Sequence, residues 1–230
     1  MKPKLTIIVP VYNTDGLLLN ALDSIPKAQD AEVIIIDDGS TDDSWAIADR
    51  WRSRNKDRFY NIRVIKFEKN QGVAHAMNTG FDLAEGEYIG SLSSDDWYIN
   101  DFSQIRQYMD GENDLVYFDL EVNDGSWWRL TPETKKHYVG AVKFIRRGFL
   151  GDTRVPSKKY KEDLPFSGEL YAKHPKEIFT GIVLKRYNFP REGSLSWQAT
   201  QDYANNRAKY NENVGILSQN DKNVWFLNDF

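Results

Sequence analysis

Short apolar runs and amphipathic stretches alternate along the first part of the chain. Leu5-Thr6-Ile7-Ile8-Val9 is β-branched and apolar on both faces, the pattern of a strand buried in a parallel sheet. It stops at Pro10-Val11-Tyr12-Asn13. Leu18, Ala21, Leu22 and Ile25 follow at i, i+3, i+4, i+7 spacing and predict a helix closing before Pro26. Val33-Ile34-Ile35-Ile36 is a second buried strand ending in Asp37-Asp38-Gly39-Ser40. Thr41-Asp42-Asp43 then reads as an N-cap with acidic first-turn residues, opening a helix to about Ser53. Ile62-Arg63-Val64-Ile65 is a third strand. Gly72 to about Ala84 is a third helix, with Ala76, Gly80, Phe81 and Ala84 on its packing side. Tyr88-Ile89-Gly90-Ser91-Leu92 is a fourth strand and runs straight into Ser93-Ser94-Asp95-Asp96. This alternation predicts an α/β fold with a mostly parallel, Rossmann-like central sheet and right-handed crossovers.

Each strand leaves polar groups at its carboxyl end: Tyr12-Asn13, Asp37-Asp38, Lys66 to Asn70, and Asp95-Asp96. Ligands bind at that edge of an open α/β sheet. Two adjacent carboxylates at the end of a buried strand are costly unless a cation pairs with them, and a divalent metal carrying a nucleotide diphosphate meets both conditions. Polar loops and Asp-Gly-Ser turns are common by themselves, so the argument rests on four such ends at one edge. No GxGxxG or GxxxxGK[ST] pattern occurs, which leaves dinucleotide and P-loop binding unsupported.

Composition narrows the partners. A net charge of −4 gives no whole-molecule attraction to nucleic acid. The absence of cysteine excludes disulfides, thiolate metal sites and Cys nucleophiles. No apolar run approaches the ~18–20 residues that span a bilayer, and the first residues show no secretory signal, so a cytoplasmic enzyme is expected.

The segments LTIIVPVYN, EVIIIDDGSTDDS and NQGVAHAMNTGFDLAEGEYIGSLSSDD, in this order and spacing, resemble family 2 glycosyltransferases of the GT-A fold. The resemblance implies a single GT-A domain over residues 1–230, with a nucleotide-sugar half at about 1–98 and an acceptor half at about 99–230. It implies that Pro10, Val11, Tyr12 and Asn13 border the base, with Tyr12 stacking on or beside it. Asp37 and Asp38 would hold the base, Asp38 accepting a base N–H. Gly72, Asn78, Ser93 and Ser94 would complete the nucleotide site. The family's DxD element falls on Ser93-Ser94-Asp95, followed by Asp96, so Asp95 and Asp96 are the expected ligands of a divalent metal, Mn2+ or Mg2+. Two departures stand out: Ser93 where many members have Asp, and Met77 where many have an Arg before Asn78. The first adds no charge to a metal site and the second removes a bidentate phosphate contact.

In the second half, Asp114-Leu115-Val116-Tyr117-Phe118 is a fifth strand, and Trp127-Trp128 follows the turn Asn123-Asp124-Gly125-Ser126. Adjacent strand residues face opposite sides, so one tryptophan can pack while the other serves as a sugar platform. Thr131-Pro132-Glu133 has a helix-start signature and predicts a helix to Gly148 or Gly151. Residues 135–161 hold nine Lys or Arg against one acid, Asp152. Two readings stay open: a solvated helix face, or a surface for an anionic acceptor or the inner membrane leaflet. Tyr160-Lys161-Glu162-Asp163 then resembles the family's Glu-Asp motif, which maps the general base onto Asp163, with Glu162 the alternative. Ile178 to Leu184 is a later strand, and in the segment after it Arg191 and Ser194 resemble family positions that contact diphosphate or acceptor. The last thirty residues suggest only terminal packing or an oligomer contact.

The reading is thus an inverting, metal-dependent glycosyltransferase that uses a nucleotide-diphospho-sugar, UDP-linked, and acts on a surface glycan, glycolipid or teichoic-acid-like acceptor. A non-catalytic sugar-nucleotide-binding subunit and a sugar-nucleotide nucleotidyltransferase are the alternatives. The latter wants a Gly-rich basic loop after the first strand, where Val11-Tyr12-Asn13-Thr14 stands.

Overall fold

The computed structural model describes residues 2–135, 141–157, 162–189 and 191–205. Strands β1 (Leu5–Val11), β2 (Ala28–Asp37), β3 (Phe59–Lys66) and β4 (Tyr88–Ser91) are parallel and lie in the order β3-β2-β1-β4. The crossovers are helices α1 (Asp15–Asp23), α2 (Ser44–Asn55) and α3 (Val73–Leu83). Both faces of this half-sheet are covered, as its unbroken apolar strands require. Ile34 and Ile36 cluster with Ala76 of α3, whereas Val33 and Ile35 belong to the main core with Leu18, Leu22 and Ala48.

The sheet continues through the second half of the chain. Its elements are β5 (Trp97–Tyr98), β6 (Leu115–Val122), β7 (Trp127–Trp128), β8 (Lys143–Arg146), α4 (Arg147–Leu150), α5 (Asp163–Ala172), β9 (Glu177–Tyr187) and α6 (Leu195–Asn205). Beyond β4 the order is β8-β6-β9-β5, with β7 paired to β6. β8 runs antiparallel to both β4 and β6, and β9 runs parallel to β6. The predicted mostly parallel α/β sheet is therefore parallel in its first half and mixed in its second.

Two predicted elements change. Among the described residues the helix expected from Thr131 to Gly148 or Gly151 is reduced to Arg147–Leu150: Pro132 to Lys135 are turns, and Lys143–Arg146 is a strand. Phe144 and Ile145 are buried between β4 and β6, which need a hydrogen-bonding partner there, and Arg146 is neutralised by Asp114. Tertiary demand outweighs the helical start signal. Helix α2 begins at Ser44 and not at Thr41, because the Asp42 carboxylate accepts from the backbone N–H of Ser44 and of Asp15, both at 3.0 Å, and holds 41–43 as a turn. Residues 206–230, including Trp225-Phe226-Leu227, lie outside the described residues.

Candidate functional site

In the order β3-β2-β1-β4 the crossovers diverge between β1 and β4, and the carboxyl ends of these strands open a crevice. The residues expected to hold the nucleotide meet around it. Asp38 accepts from the backbone N–H of Gln71 (2.7 Å) and of Gly72 (2.8 Å), tying the β2 loop to the start of α3. Burial raises its pKa, and those two donors oppose the rise. Gly39 must be glycine: its φ is +72°, and a Cβ would stand 2.5 Å from the Lys69 carbonyl carbon. Gly72, at φ +93°, turns the chain into α3. Asp37 is fully buried. Its Oδ1 accepts from Ser40 N at 2.8 Å, while its Oδ2 has no hydrogen bond and sees the Lys66 ammonium at 4.0 Å.

Asn13 sits at φ +48° and is locked to the same loop: its N–H donates to Ser40 Oγ (3.0 Å) and its Oδ1 accepts from Thr41 N (2.8 Å). Pro10 is half-buried and Val11 buried, so the ring exposed beside them is Tyr12, at 47%. Asn78 is spent within the protein. Its amide donates to Val155 O (2.9 Å) and its carbonyl oxygen accepts from Val155 N (2.8 Å), so it ties α3 to Val155.

After β4 the exposure alternates with period two. Ser93 and Asp95 are half-exposed, whereas Ser94 and Asp96 are buried. The S-x-D pair therefore faces the crevice together, and Asp96 turns inward. Asp96 Oδ1 accepts from Asn188 N at 2.9 Å, and the buried Lys185 ammonium acts on it electrostatically. Burial and the adjacent Asp95 charge push Asp96 up; burial pulls Lys185 down. Lys185 also donates to the carbonyls of Ser91 and of Ala141 (3.0 Å). Asp95 is paired with Arg191. The cation demanded by two adjacent acids is thus met from the chain itself, by two residues of the second half. Lys185 was not singled out in the sequence; the only signal was a lysine closing an apolar strand. Among the described residues no cluster of three or more His, Cys, Asp or Glu side chains could hold a metal ion.

Asp163 is the first residue of α5 and Glu162 precedes it, both half-buried. Burial and the Asp163 charge push Glu162 up to about 7. Tyr187 links the two groups of acids: burial pushes its hydroxyl up to about 12, and the charges of Asp96, Asp95 and Asp163 all add to the rise. The loop acids and Asp163 are therefore within electrostatic reach of one hydroxyl. That ring stacks on Phe189 (5.4 Å between centroids) and meets Trp128 edge-on (5.1 Å). Trp127 points the other way, is 55% exposed, and lines a cavity of about 360 Å³ with Asp119, Arg129, Thr131, Phe179 and Gly181. Ser194 caps α6, its Oγ accepting from Trp197 N at 3.1 Å.

The described residues of the basic stretch are engaged within the chain. Lys143 is buried, Lys135 pairs with Glu177, Arg146 with Asp114 and Arg154 with Asp82, and Arg147 donates to Gly86 O at 2.9 Å. Lys136, Lys158, Lys159 and Lys161 lie outside the described residues. Among the described residues no helix is long and apolar enough to cross a membrane.

The chain is similar to known proteins. Over 135 residues the chain is 32% identical to glycosyltransferase GlyG of Streptococcus pneumoniae serotype 4, covering 56% of this chain and 44% of that protein. Over 202 residues it is 38% identical to the poly(ribitol-phosphate) beta-glucosyltransferase of Bacillus spizizenii, covering 81% and 27%. The chain thus spans less than half the length of these curated relatives. Among solved structures, S. aureus TarS 1-349 in complex with UDP-GlcNAc aligns with a TM-score of 0.70 at 23% identity, over 84% of this chain and 60% of that one. The mannosyltransferase PcManGT from Pyrobaculum calidifontis, in complex with GDP-Man and Mn2+, aligns with a TM-score of 0.68 at 19% identity, over 87% and 61%. At these identities the likeness establishes the fold, which is GT-A. The family model for Glycosyl transferase family 2 matches residues 6–165, from β1 to the first turn of α5, and the chain belongs to that family.

Proposed function

We propose that this chain is the catalytic part of an inverting glycosyltransferase that moves a sugar from a UDP-sugar to a hydroxyl of a polyol-phosphate or related surface polymer. The observation that carries the reading is that both loop acids are tied to the segment after β9, Asp96 by the N–H of Asn188 and Asp95 by Arg191, at the sheet edge where Tyr12 and Asp38 stand. The likeness to the Bacillus spizizenii enzyme over 81% of the chain favours the polyol-phosphate acceptor.

Tyr12 offers its exposed ring to the base, and Asp38 holds the loop and α3 terminus that wall the base site. Asp163 takes the proton of the acceptor hydroxyl as that oxygen bonds to the sugar C1. The C1–O bond to the diphosphate breaks on the opposite face, its electron pair leaving with the diphosphate, so the anomeric configuration inverts. A divalent cation fits the donor set, since such ions bind through one or two carboxylates and the substrate's own phosphates; Asp95 would hold it, with Asp96 behind. When bound, it neutralises charge on the departing diphosphate. Arg191 adds a second positive group at the same place and supplies the contact that Met77 cannot. Trp127 and the cavity beside it offer a platform for acceptor units beyond the one that reacts.

A second reading, a non-catalytic sugar-nucleotide-binding subunit, is favoured by Ser93 and by the Arg191 pairing of Asp95. Calorimetry with UDP, with and without Mn2+, followed by UDP release from UDP-glucose and UDP-N-acetylglucosamine, separates the two. The catalytic reading expects Mn2+-dependent binding and turnover that Asp163→Asn abolishes. Binding with no turnover on any acceptor polymer supports the subunit; no UDP binding in either condition refutes both.

A further inference from the structure

We propose that the cavity beside Trp127 is a subsite for one unit of a phosphodiester-linked polyol, its carbon chain on the indole and its phosphate on Arg129. The inference deepens, and rests on, the reading of this chain as a transferase onto a polyol-phosphate polymer.

Trp127 and Trp128 are the two residues of β7, which follows a tight turn in which Val122 N donates to Ser126 O at 2.9 Å. Alternation sends Trp128 against Tyr187 and leaves the Trp127 ring exposed over the cavity. A large apolar ring kept exposed at a cavity marks a ligand surface. The opposite wall comes from an irregularity in β9. Phe179 pairs with Tyr117 and Val183 with Asp119, so Thr180, Gly181 and Ile182 stand against Phe118 alone. Thr180 pins this bulge: its hydroxyl donates to Tyr117 O at 2.8 Å and accepts from Ile182 N at 3.2 Å. Gly181 lies in the bulge at φ +66°, and a Cβ there would meet nothing within 4 Å, so the missing side chain leaves the space open. Phe179, stacked on Tyr117 at 4.6 Å between centroids, adds a second apolar surface.

The polar groups of the cavity are ordered by depth. Asp119 is buried, and its Oδ1 accepts from Leu130 N at 2.8 Å, which fastens the segment carrying Arg129 to β6. Arg129 is exposed. Glu121, opposite Trp127, is paired with Arg186, and Arg129 is the only cation among the described residues that line the cavity. The weakly positive C–H edges of a polyol suit the negative face of an indole, and its hydroxyls can donate to a carboxylate. A planar guanidinium matches two oxygens of a phosphate. Hydroxyls inward and phosphate outward is the order of groups in a polyol phosphate, whereas a neutral glycan leaves Arg129 unused. The volume, about 360 Å³, lies at the small end of ligand sites and suits one such unit.

Calorimetry of the full chain with poly(ribitol phosphate), and with dextran as the uncharged probe, reads this without donor or turnover. The parent is expected to bind poly(ribitol phosphate), more weakly as salt rises. Arg129→Met should weaken that binding by about tenfold at low salt and flatten the salt dependence, with Arg129→Lys recovering part of both. Trp127→Ala should weaken it by about tenfold at every salt concentration. Both side chains are exposed, so neither substitution removes a core contact. An unchanged Kd in Trp127→Ala and Arg129→Met overturns the subsite, as does a parent that fails to bind the polymer. Equal binding of dextran, unaffected by Arg129→Met, overturns the phosphate assignment and the proposal with it. UDP release separates this from the catalytic reading. Release by the parent with unaltered polymer binding in both variants removes the subsite alone; no release, with binding weakened in both, removes catalysis alone.

Discussion

Arg191 donates to Oδ2 of Asp95 from both Nε (2.8 Å) and Nη2 (2.7 Å), so a residue of the second half closes on the one loop carboxylate that faces the crevice. Charge-assisted pairs of this kind are about twice as strong as neutral hydrogen bonds. A metal must therefore compete with Arg191 for Asp95, whereas a diphosphate can share it. Arg191→Ala should tighten Mn2+ binding to the free chain but weaken UDP binding in the presence of Mn2+ by about tenfold. Asp95→Asn should remove the metal dependence altogether. Calorimetry with Mn2+ alone and then UDP checks both; equal weakening in the two titrations would show that Arg191 merely supports the fold.

Asn78 is expected to act as a strut. Asn78→Ala breaks both bonds to Val155 and should cost about 1–2 kcal/mol of stability. Turnover should fall because Val155 is no longer held against α3, while the Kd for UDP stays within about twofold. Urea unfolding and calorimetry report the two quantities separately. A large loss of UDP affinity at unchanged stability would make Asn78 a direct nucleotide ligand.

Glu162 predicts a pH dependence. Its carboxyl is raised from the ordinary 4.5 to about 7, so the folded chain binds this proton more tightly than the unfolded chain. Its contribution is most favourable below pH 4.5 and declines as the pH rises from there to about 7. Glu162→Gln escapes that loss and should be more stable than the parent at pH 8 by up to about 2 kcal/mol, and nearly equal at pH 4.5. Urea midpoints at the two pH values test it; a gain confined to the low pH would contradict the sign.

Gly80 is fixed by packing rather than by backbone geometry. A Cβ there would lie 2.5 Å from Ile8 Cγ2 and 2.8 Å from its Cδ1, in the face shared by α3 and β1. Gly80→Ala should therefore destabilise by about 1–3 kcal/mol, although alanine is the better helix former. In an Ile8→Ala background the same change should be neutral or stabilising, which thermal unfolding of the double-mutant cycle would show.

The first half was legible because its strands are buried on both faces and its helices carry one apolar stripe each. Leu5–Val9 and Val33–Ile36 leave few alternatives, and the polar residues that end them share one edge by topology. The base candidate was legible only through its resemblance to a family motif, since an acid at a helix N-terminus is common in itself. Strand β8 was hidden because it begins with Lys143 and ends with Arg146. Nothing local shows that one is buried beside α5 and the other neutralised by Asp114. Lys185 escaped, and so did the pairing of Arg191 with Asp95, for a related reason: charge balance between residues about ninety positions apart has no periodicity to detect. The premise that two adjacent acids require a cation held, but it did not distinguish a metal from the protein's own side chains.

The insertion of β8 has a consequence for how the molecule is made. Strand β4, which delivers the Ser93–Asp96 loop, pairs with β1 on one side and on the other only with a strand synthesised much later. Until Lys143–Arg146 emerges from the ribosome, the nascent first half carries β4 as an open edge, with backbone groups free to recruit another chain. Charge at both ends of β8 makes that late strand a poor template for self-association while it waits to dock. Substitutions that remove the charge of Lys143 or Arg146 should therefore reduce soluble yield during synthesis more than they reduce the stability of the finished protein.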